Sequence, residues 1–367
     1  MAAHLDVNVT GMRRYPVFVD QALSGAIGAH MGKDGINTAR AIAVIDANVD
    51  TTHRQYYENL LGTIFGQVHW FVMPSGEQEK NAGNWKAIVD FALAHEVRRN
   101  TPLLAIGGGV TGDLAGFAAS SIMRGLPLYH FPTTLLAMVD SSIGGKTGMN
   151  HASGKNLIGA FYQPQAVFAE TRLLESLPRR EWLCGLGEIL KYAAIDQPSL
   201  FDEMANLMLT PQWHDHPDLV DIIYRCAAIK ARIVQEDEKE SGIRAYLNLG
   251  HTFAHALEAF TEYKTFSHGE AVYIGLVAAA HLSMQKGGQV DAAEFLEFRE
   301  LYDLSTRKYI HLLDEIVPYM YKDKKILDNK IRLVLLTHWG KPYTIDTCSM
   351  GEIEASWKYA LETINTR

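Results

Sequence analysis

The stretch 103–123, LLAIGGGVTGDLAGFAASSIM, runs from an apolar β-type segment through consecutive glycines into small and apolar residues of helical character. A strand that turns on glycines into a helix is the junction of an α/β layer. Glycines let the backbone approach an anion closely, and the free N–H groups of a helix start favour negative charge there. Gly107, Gly109 and Gly112 also satisfy GxGxxG. The ordinary dinucleotide fold is disfavoured, because the turn follows roughly the fourth expected strand and no acid lies about twenty residues downstream. An upstream acid is the alternative: Asp46 ends AIAVID, and Glu77 lies in PSGEQEK.

Working outward, YPVFV, AIAVID, VHWFVM, LLAIGGG and LYHFP alternate with amphipathic stretches such as Asn84 to Val97, from about Pro16 to Glu170. This pattern predicts a largely parallel sheet. Beyond Leu177-Pro178, apolar residues recur at three- and four-residue spacing over Arg180 to Ile195, Leu219 to Val234, Thr252 to Phe260 and Glu270 to Gln285, which predicts helices. Ile331 to Asp346 reads as a late hairpin, with Gly340-Lys341-Pro342 as its turn. The 367 residues exceed what one core usually holds, so two domains are expected: an α/β domain over 1–174 and a mainly helical domain over 175–367.

The formal net charge of −8 argues against a nucleic-acid surface, which needs a broad excess of Lys and Arg. The three cysteines form no CxxC pair, so neither a zinc knuckle nor a disulfide framework is indicated. The N-terminal segment has no apolar run of signal length, and Ala271 to Met284 is too short to span a bilayer. A cytoplasmic protein without a membrane partner is expected.

Two histidines of NLGHTFAHALE, His251 and His255, lie four apart on one helix face, and His268 follows in SHGEA. Glu188 lies in LGEILKY, with Lys191 one turn on. Two or three imidazoles and a carboxylate suit a catalytic zinc site, although fifteen histidines leave helix packing as an alternative. Spacing alone pairs His251 with His255. Lys146, Lys155, Arg124, Lys191, Lys230, Arg244, Lys324 and Lys325 put cations near glycine turns and histidines of an acidic chain. That distribution suits a local pocket for a small polyanion.

Taken in order, PSGEQEK, GGGVTGDLAGFAAS, FPTTLLAMVDSSIGGKTGMNHASGKNLIGAFYQP, LGEILKY, NLGHTFAHALE, SHGEA and YKDKKILDNKIRLVLL resemble the 3-dehydroquinate synthase family over about residues 74 to 337. The resemblance implies an α/β N-terminal nucleotide-binding domain, a mainly α-helical C-terminal metal-binding domain and a homodimer. It implies Glu188, His251 and His268 as ligands of a divalent metal, with zinc expected first and cobalt as an alternative, and His255 as a nearby catalytic or substrate-binding residue. NAD would be held by Asp46, Glu77, Lys80, Gly107, Gly108, Gly109, Asp113, Thr133, Thr134, Lys155 and Glu181. Substrate would meet Arg124, Asp140, Lys146, Lys155, Asn156, Lys191, Lys230, Arg244, Asn248, His255 and Lys324, with His255, Lys146, Lys191, Asn156 and Glu240 as the catalytic set.

The implied substrate is 3-deoxy-D-arabino-heptulosonate 7-phosphate, converted to 3-dehydroquinate and phosphate with NAD regenerated in each turnover. Three departures from the family's common pattern are Met138, Gly187 and Ala254, where a polar residue, alanine and glycine are common; altered packing is the expected consequence. Other sugar-phosphate cyclases using sedoheptulose 7-phosphate or glucose 6-phosphate, a metal-dependent polyol dehydrogenase, and a non-catalytic metal- or nucleotide-binding protein remain as alternatives.

Overall fold

The computed structural model describes residues 2–8, 14–31, 36–240, 242–321 and 331–366. The strands of the first part are β1 (Ala3–Asn8), β2 (Arg14–Asp20), β3 (Arg40–Asp46), β4 (Gln67–Met73), β5 (Leu103–Gly107), β6 (Leu128–Pro132), β7 (Lys146–His151), β8 (Gly154–Phe161) and β9 (Ala166–Glu170). Its helices are α1 (Ser24–Met31), α2 (Ala47–Gly62), α3 (Ala82–Ala94) and α4 (Gly109–Ser121). Beyond Pro178 follow α5 (Arg179–Ile195), α6 (Leu200–Met208), α7 (Leu219–Glu236), α8 (His251–Phe260) and α9 (His268–Gln285).

The chain forms two compact units, Met1–Pro178 with His214–Glu238, and Arg179–Trp213 with Lys239–Arg367. In the first, a seven-stranded sheet has the order β1-β2-β9-β6-β5-β3-β4. Only the β1–β2 pairing is antiparallel. Strands β5, β6 and β9 are buried along their whole length, as expected for parallel strands covered on both faces. Alternation along β3 divides the core: Ala41, Ala43 and Ile45 meet Leu23, Ile27, Tyr57 and Leu61, while Ile42 and Val44 meet Ile88, Ala92, Leu114 and Ala118. Helices α1 and α2 therefore cover one face, and α3 and α4 the other.

Three features depart from the sequence-based expectation. Helix α7 packs on β1, β2 and the π-helical turn Ala137–Ser141, so the division expected after residue 174 assigns it to the wrong side. Its apolar stripe specifies a buried face without specifying what covers it. The lysine- and glycine-rich segment forms the β7–β8 hairpin, where Gly148 stands opposite Gly159. A Cβ on Gly159 would lie 2.1 Å from the Thr147 carbonyl oxygen, so glycine allows this close pairing.

In the second unit, α9 is buried on nearly every side, packed by α5, α8 and the helix Met350–Thr363. The late hairpin is present as Leu333–His338 and Lys341–Ile345. Its turn is Trp339-Gly340, with Gly340 at φ 77, and Pro342 lies inside the second strand opposite Leu336. The left-handed conformation at Gly340 makes this short turn, and proline is tolerated in a strand of only two-stranded pairing.

Candidate metal centre and nucleotide-binding turn

Helices α5, α8 and α9 bring together residues far apart in sequence. Gly250, left-handed at φ 77, starts α8 against α9: a Cβ there would stand 2.8 Å from the Leu276 backbone nitrogen. On α5, a Cβ at Gly187 would lie 2.8 Å from the Gly269 carbonyl oxygen. These glycine contacts let the helices approach closely enough to assemble the side chains between them. Ser267 and Glu270 close a capping box at the start of α9, and Arg180 holds Glu270 at 3.0 Å, fixing the turn that presents His268.

One donor atom each of Glu188, His251 and His268 lies within 4.8 Å of the others. Glu188 Oε1 is 3.3 Å from His251 Nε2 and 3.5 Å from His268 Nε2. The opposite ring nitrogens are engaged elsewhere. His251 Nδ1–H donates to the Leu249 carbonyl at 3.1 Å, and His268 Nδ1 stands 3.4 Å from Glu258 Oε1. This leaves both Nε2 atoms facing one carboxylate oxygen, a donor set that a divalent metal ion could use. The fourth member of the cluster, Lys191, donates to Glu188 Oε2.

Electrostatics follow from burial against these contacts. Burial opposes ionisation of Glu188, but the Lys191 ammonium and the imidazoles hold its carboxyl well below the usual range. Burial pushes His251 down despite Glu188. At His268 burial acts in the same direction, yet Glu258 and Glu188 overcome it and raise the imidazole to about 10 in the metal-free cluster. A metal ion would compete with a proton for this nitrogen.

His255, on the same face of α8, has its ring centre 5.6 Å from that of His251 and 6.3 Å from that of His268. It is half-buried beside the cluster and is not one of its three converging donors. The four-residue spacing correctly puts the two histidines together, but the third donor comes from α9 and the carboxylate from α5. Sequence reasoning missed Glu258. Its signal was present: it follows His255 by three positions on the same helical face.

In the first unit, β5 ends at Gly107, Gly108 caps α4 without a side-chain bond, and the helix starts at Gly109. Cβ atoms at Gly107, Gly108 and Gly109 would come within 3.0 Å of the Thr111, Thr134 and Ser141 side chains, respectively. A small recess of about 10 Å³, room for a water-sized group, adjoins the turn, lined in part by Gly107, Gly108, Gly112, His130 and Ser141. The buried Thr111, Thr133 and Ser141 hydroxyl oxygens near it have no hydrogen-bond partner among the described residues. Uncapped helix N–H groups, a glycine cradle and unused hydroxyls fit the pyrophosphate and ribose of a dinucleotide.

Asp46, the upstream acid, is brought beside this turn: a Cβ on Gly107 would lie 3.1 Å from Asp46 Cβ. Its carboxylate accepts from the Asn48 amide at 2.9 Å and the Ser75 hydroxyl at 2.7 Å. Buried Lys80 donates to Asp113 Oδ2 at 2.5 Å and to Asn156 Oδ1 at 2.6 Å, tying α4 to the hairpin. Burial pushes the Asp113 carboxyl up against the pull of Lys80. Asn150 donates to Glu77 Oε1 at 2.7 Å, and Lys155 Nζ stands 4.0 Å from the same oxygen. Lys146 begins the hairpin, exposed, and Arg124 ends the short turn after α4 at φ 66.

Lys230 on α7 donates to both the carboxylate and the carbonyl of Asp140 at 2.7 Å. In the second unit, Asn248 donates to Glu240 Oε1 at 2.8 Å, and Arg244 is buried in the short helical segment Ile243–Asn248. Glu181 occupies the first turn of α5, exposed. Lys324 lies outside the described residues.

Residues 70–184 match the family model for 3-dehydroquinate synthase N-terminal, and residues 185–326 match that for 3-dehydroquinate synthase C-terminal. A 3-dehydroquinate synthase of Pseudoalteromonas translucida (strain TAC 125) is 41% identical over 351 residues, covering 94% of this chain and 96% of its own. One of Legionella pneumophila (strain Lens) is 39% identical over 349 residues, with 94% and 93% coverage. Among solved structures, a 2-deoxy-scyllo-inosose synthase complexed with carbaglucose-6-phosphate, NAD+ and Co2+ superposes with a TM-score of 0.85 at 26% identity, covering 97% of this chain and 99% of that one. The 2-epi-5-epi-valiolone synthase of Streptomyces hygroscopicus subsp. jinggangensis 5008, with NAD+ and Zn2+ bound, gives 0.84 at 26% identity and the same coverages.

Proposed function

The chain belongs to the 3-dehydroquinate synthase family, and from that premise we propose that it converts 3-deoxy-D-arabino-heptulosonate 7-phosphate to 3-dehydroquinate and phosphate, using Glu188, His251 and His268 to hold a divalent metal ion. The observation that carries this reading is the convergence of His251 Nε2 and His268 Nε2 on Glu188 Oε1. When bound, the ion supplies Lewis acidity and NAD supplies reversible oxidation.

The side chains divide the remaining work. The glycine turn, Thr133, Thr134, Asp46 and Glu77 bind NAD with Lys80, Asp113, Lys155 and Glu181. Lys155, Lys146, Asn156 and Arg124 bind the substrate phosphate through charge-assisted contacts. Lys230, Arg244 and Lys324 suit the carboxylate and ring hydroxyls, Asp140 holds Lys230, and Asp140 and Asn248 complete the substrate-binding set. Lys191 fixes the Glu188 carboxylate and belongs to the substrate-binding and catalytic set. His255 takes and returns a proton at a ring hydroxyl, and Glu240 completes the catalytic set.

No helix among the described residues is long and apolar enough to cross a membrane. A cytoplasmic homodimer is the assembly proposed with this activity. The decisive measurement supplies substrate with a small amount of NAD and identifies the product by mass. Phosphate and dehydroquinate should appear in equal amounts without net NADH. Accumulating NADH would indicate a dehydrogenase, and turnover only of sedoheptulose 7-phosphate or glucose 6-phosphate would indicate another cyclase.

A further inference from the structure

The metal-centre reading leaves one buried carboxylate beside the cluster without a task. Glu258 is only 3% exposed, and its Oε1 stands 3.4 Å from His268 Nδ1. A carboxylate is costly to bury unless partners satisfy it, and an apolar residue of similar volume would fill a helix interface without that cost. Its placement against the outer nitrogen of a converging imidazole gives the charge a purpose.

We propose that Glu258 is the positioning residue of the metal centre. Accepting the Nδ1–H of His268, it fixes that ring's tautomer and turns Nε2 toward Glu188. Behind His251 stands the neutral Leu249 carbonyl instead, so the two imidazoles are oriented by partners of different kind.

This inference rests on the proposed ligand role of Glu188, His251 and His268, and its test separates the two. The full chain, stripped of metal, is titrated with Zn2+ in competition with a chromophoric chelator, and its Co2+ form is followed by visible absorption. Glu258→Ala should bind Zn2+ about 10–100-fold more weakly, the usual effect of losing an outer partner of a metal ligand. Glu258→Gln, which keeps an acceptor and the buried volume but loses the charge, should fall between, with an altered Co2+ spectrum.

Variants that bind Zn2+ as tightly as the unsubstituted chain overturn the proposal, even if their thermal stability falls. If the alanine variant does not fold, the glutamine variant alone decides by the same comparison. An unsubstituted chain that binds neither ion overturns the metal-centre reading itself.

Discussion

Gly187 and Gly269 meet where α5 packs on α9: a Cβ built on Gly187 would stand 2.8 Å from the Gly269 carbonyl oxygen. Each glycine directly neighbours a donor of the candidate metal centre, Glu188 on one helix and His268 on the other. An alanine at the first position would require this crossing to open. Gly187→Ala gains about 1 kcal/mol of helix propensity but forces an overpacked backbone contact that typically costs about 1–3 kcal/mol. The expected result is equal or lower thermal stability with weaker Zn2+ binding. Higher stability with unchanged Zn2+ affinity would show that the helices yield without disturbing Glu188.

Prolonged chelation should abolish activity, and Zn2+ or Co2+ should restore it. His268→Ala removes one of the three converging donors and should lower metal occupancy sharply, as read by elemental analysis of the dialysed protein. Full activity in a verified metal-free sample would contradict the ligand assignment.

Lys155→Ala should weaken binding of phosphorylated ligands much more than that of a carboxylate-bearing product analogue. Loss of one charge-assisted contact corresponds to about 1.5–3 kcal/mol. Calorimetry with both ligand types reads the difference directly. Equal losses would remove Lys155 from the phosphate pocket.

His130, buried in β6 under the glycine turn, is held neutral by desolvation, its imidazole pushed down to about 4. An unfolded chain takes up that proton near pH 6.5. The stabilisation is therefore complete above about pH 6.5 and is lost as pH falls toward 4, on the order of 3 kcal/mol. Urea unfolding of the parent chain and His130→Gln over this interval should show less acid loss in the variant. Parallel curves would mean that His130 is already protonated in the folded state or titrates alike in both states.

What could be read in sequence was whatever local pattern determines. Strands such as Arg40–Asp46 and the turn Gly107–Gly109 were legible because alternation and consecutive glycines express their own geometry. The β7–β8 hairpin was not, because Gly148 and Gly159 replace the side chains whose alternation marks a strand. The grouping of Glu188, His251 and His268 depends on three helices crossing, so spacing within α8 reached only His255. Family resemblance supplied that grouping because it encodes tertiary proximity that a single periodicity does not carry. Glu258 escaped both readings: its spacing from His255 puts it on that face, but a helical glutamate ordinarily faces solvent, and packing buries this one.

The return of α7 to the sheet unit orders how the chain can mature during synthesis. When Pro178 leaves the ribosome the seven strands have all been made, yet the helix that packs on β1 and β2 is still unmade. Lys230 can reach Asp140 only after α5 and α6 have emerged, and Glu188 waits further for His251 and His268. A gene divided after residue 178 would thus encode one fragment lacking its own helix and another carrying a segment that belongs elsewhere. Limited proteolysis near Pro178 should leave the two pieces associated through that segment, because cutting one link does not separate units whose chain passes between them again at 213 and 238.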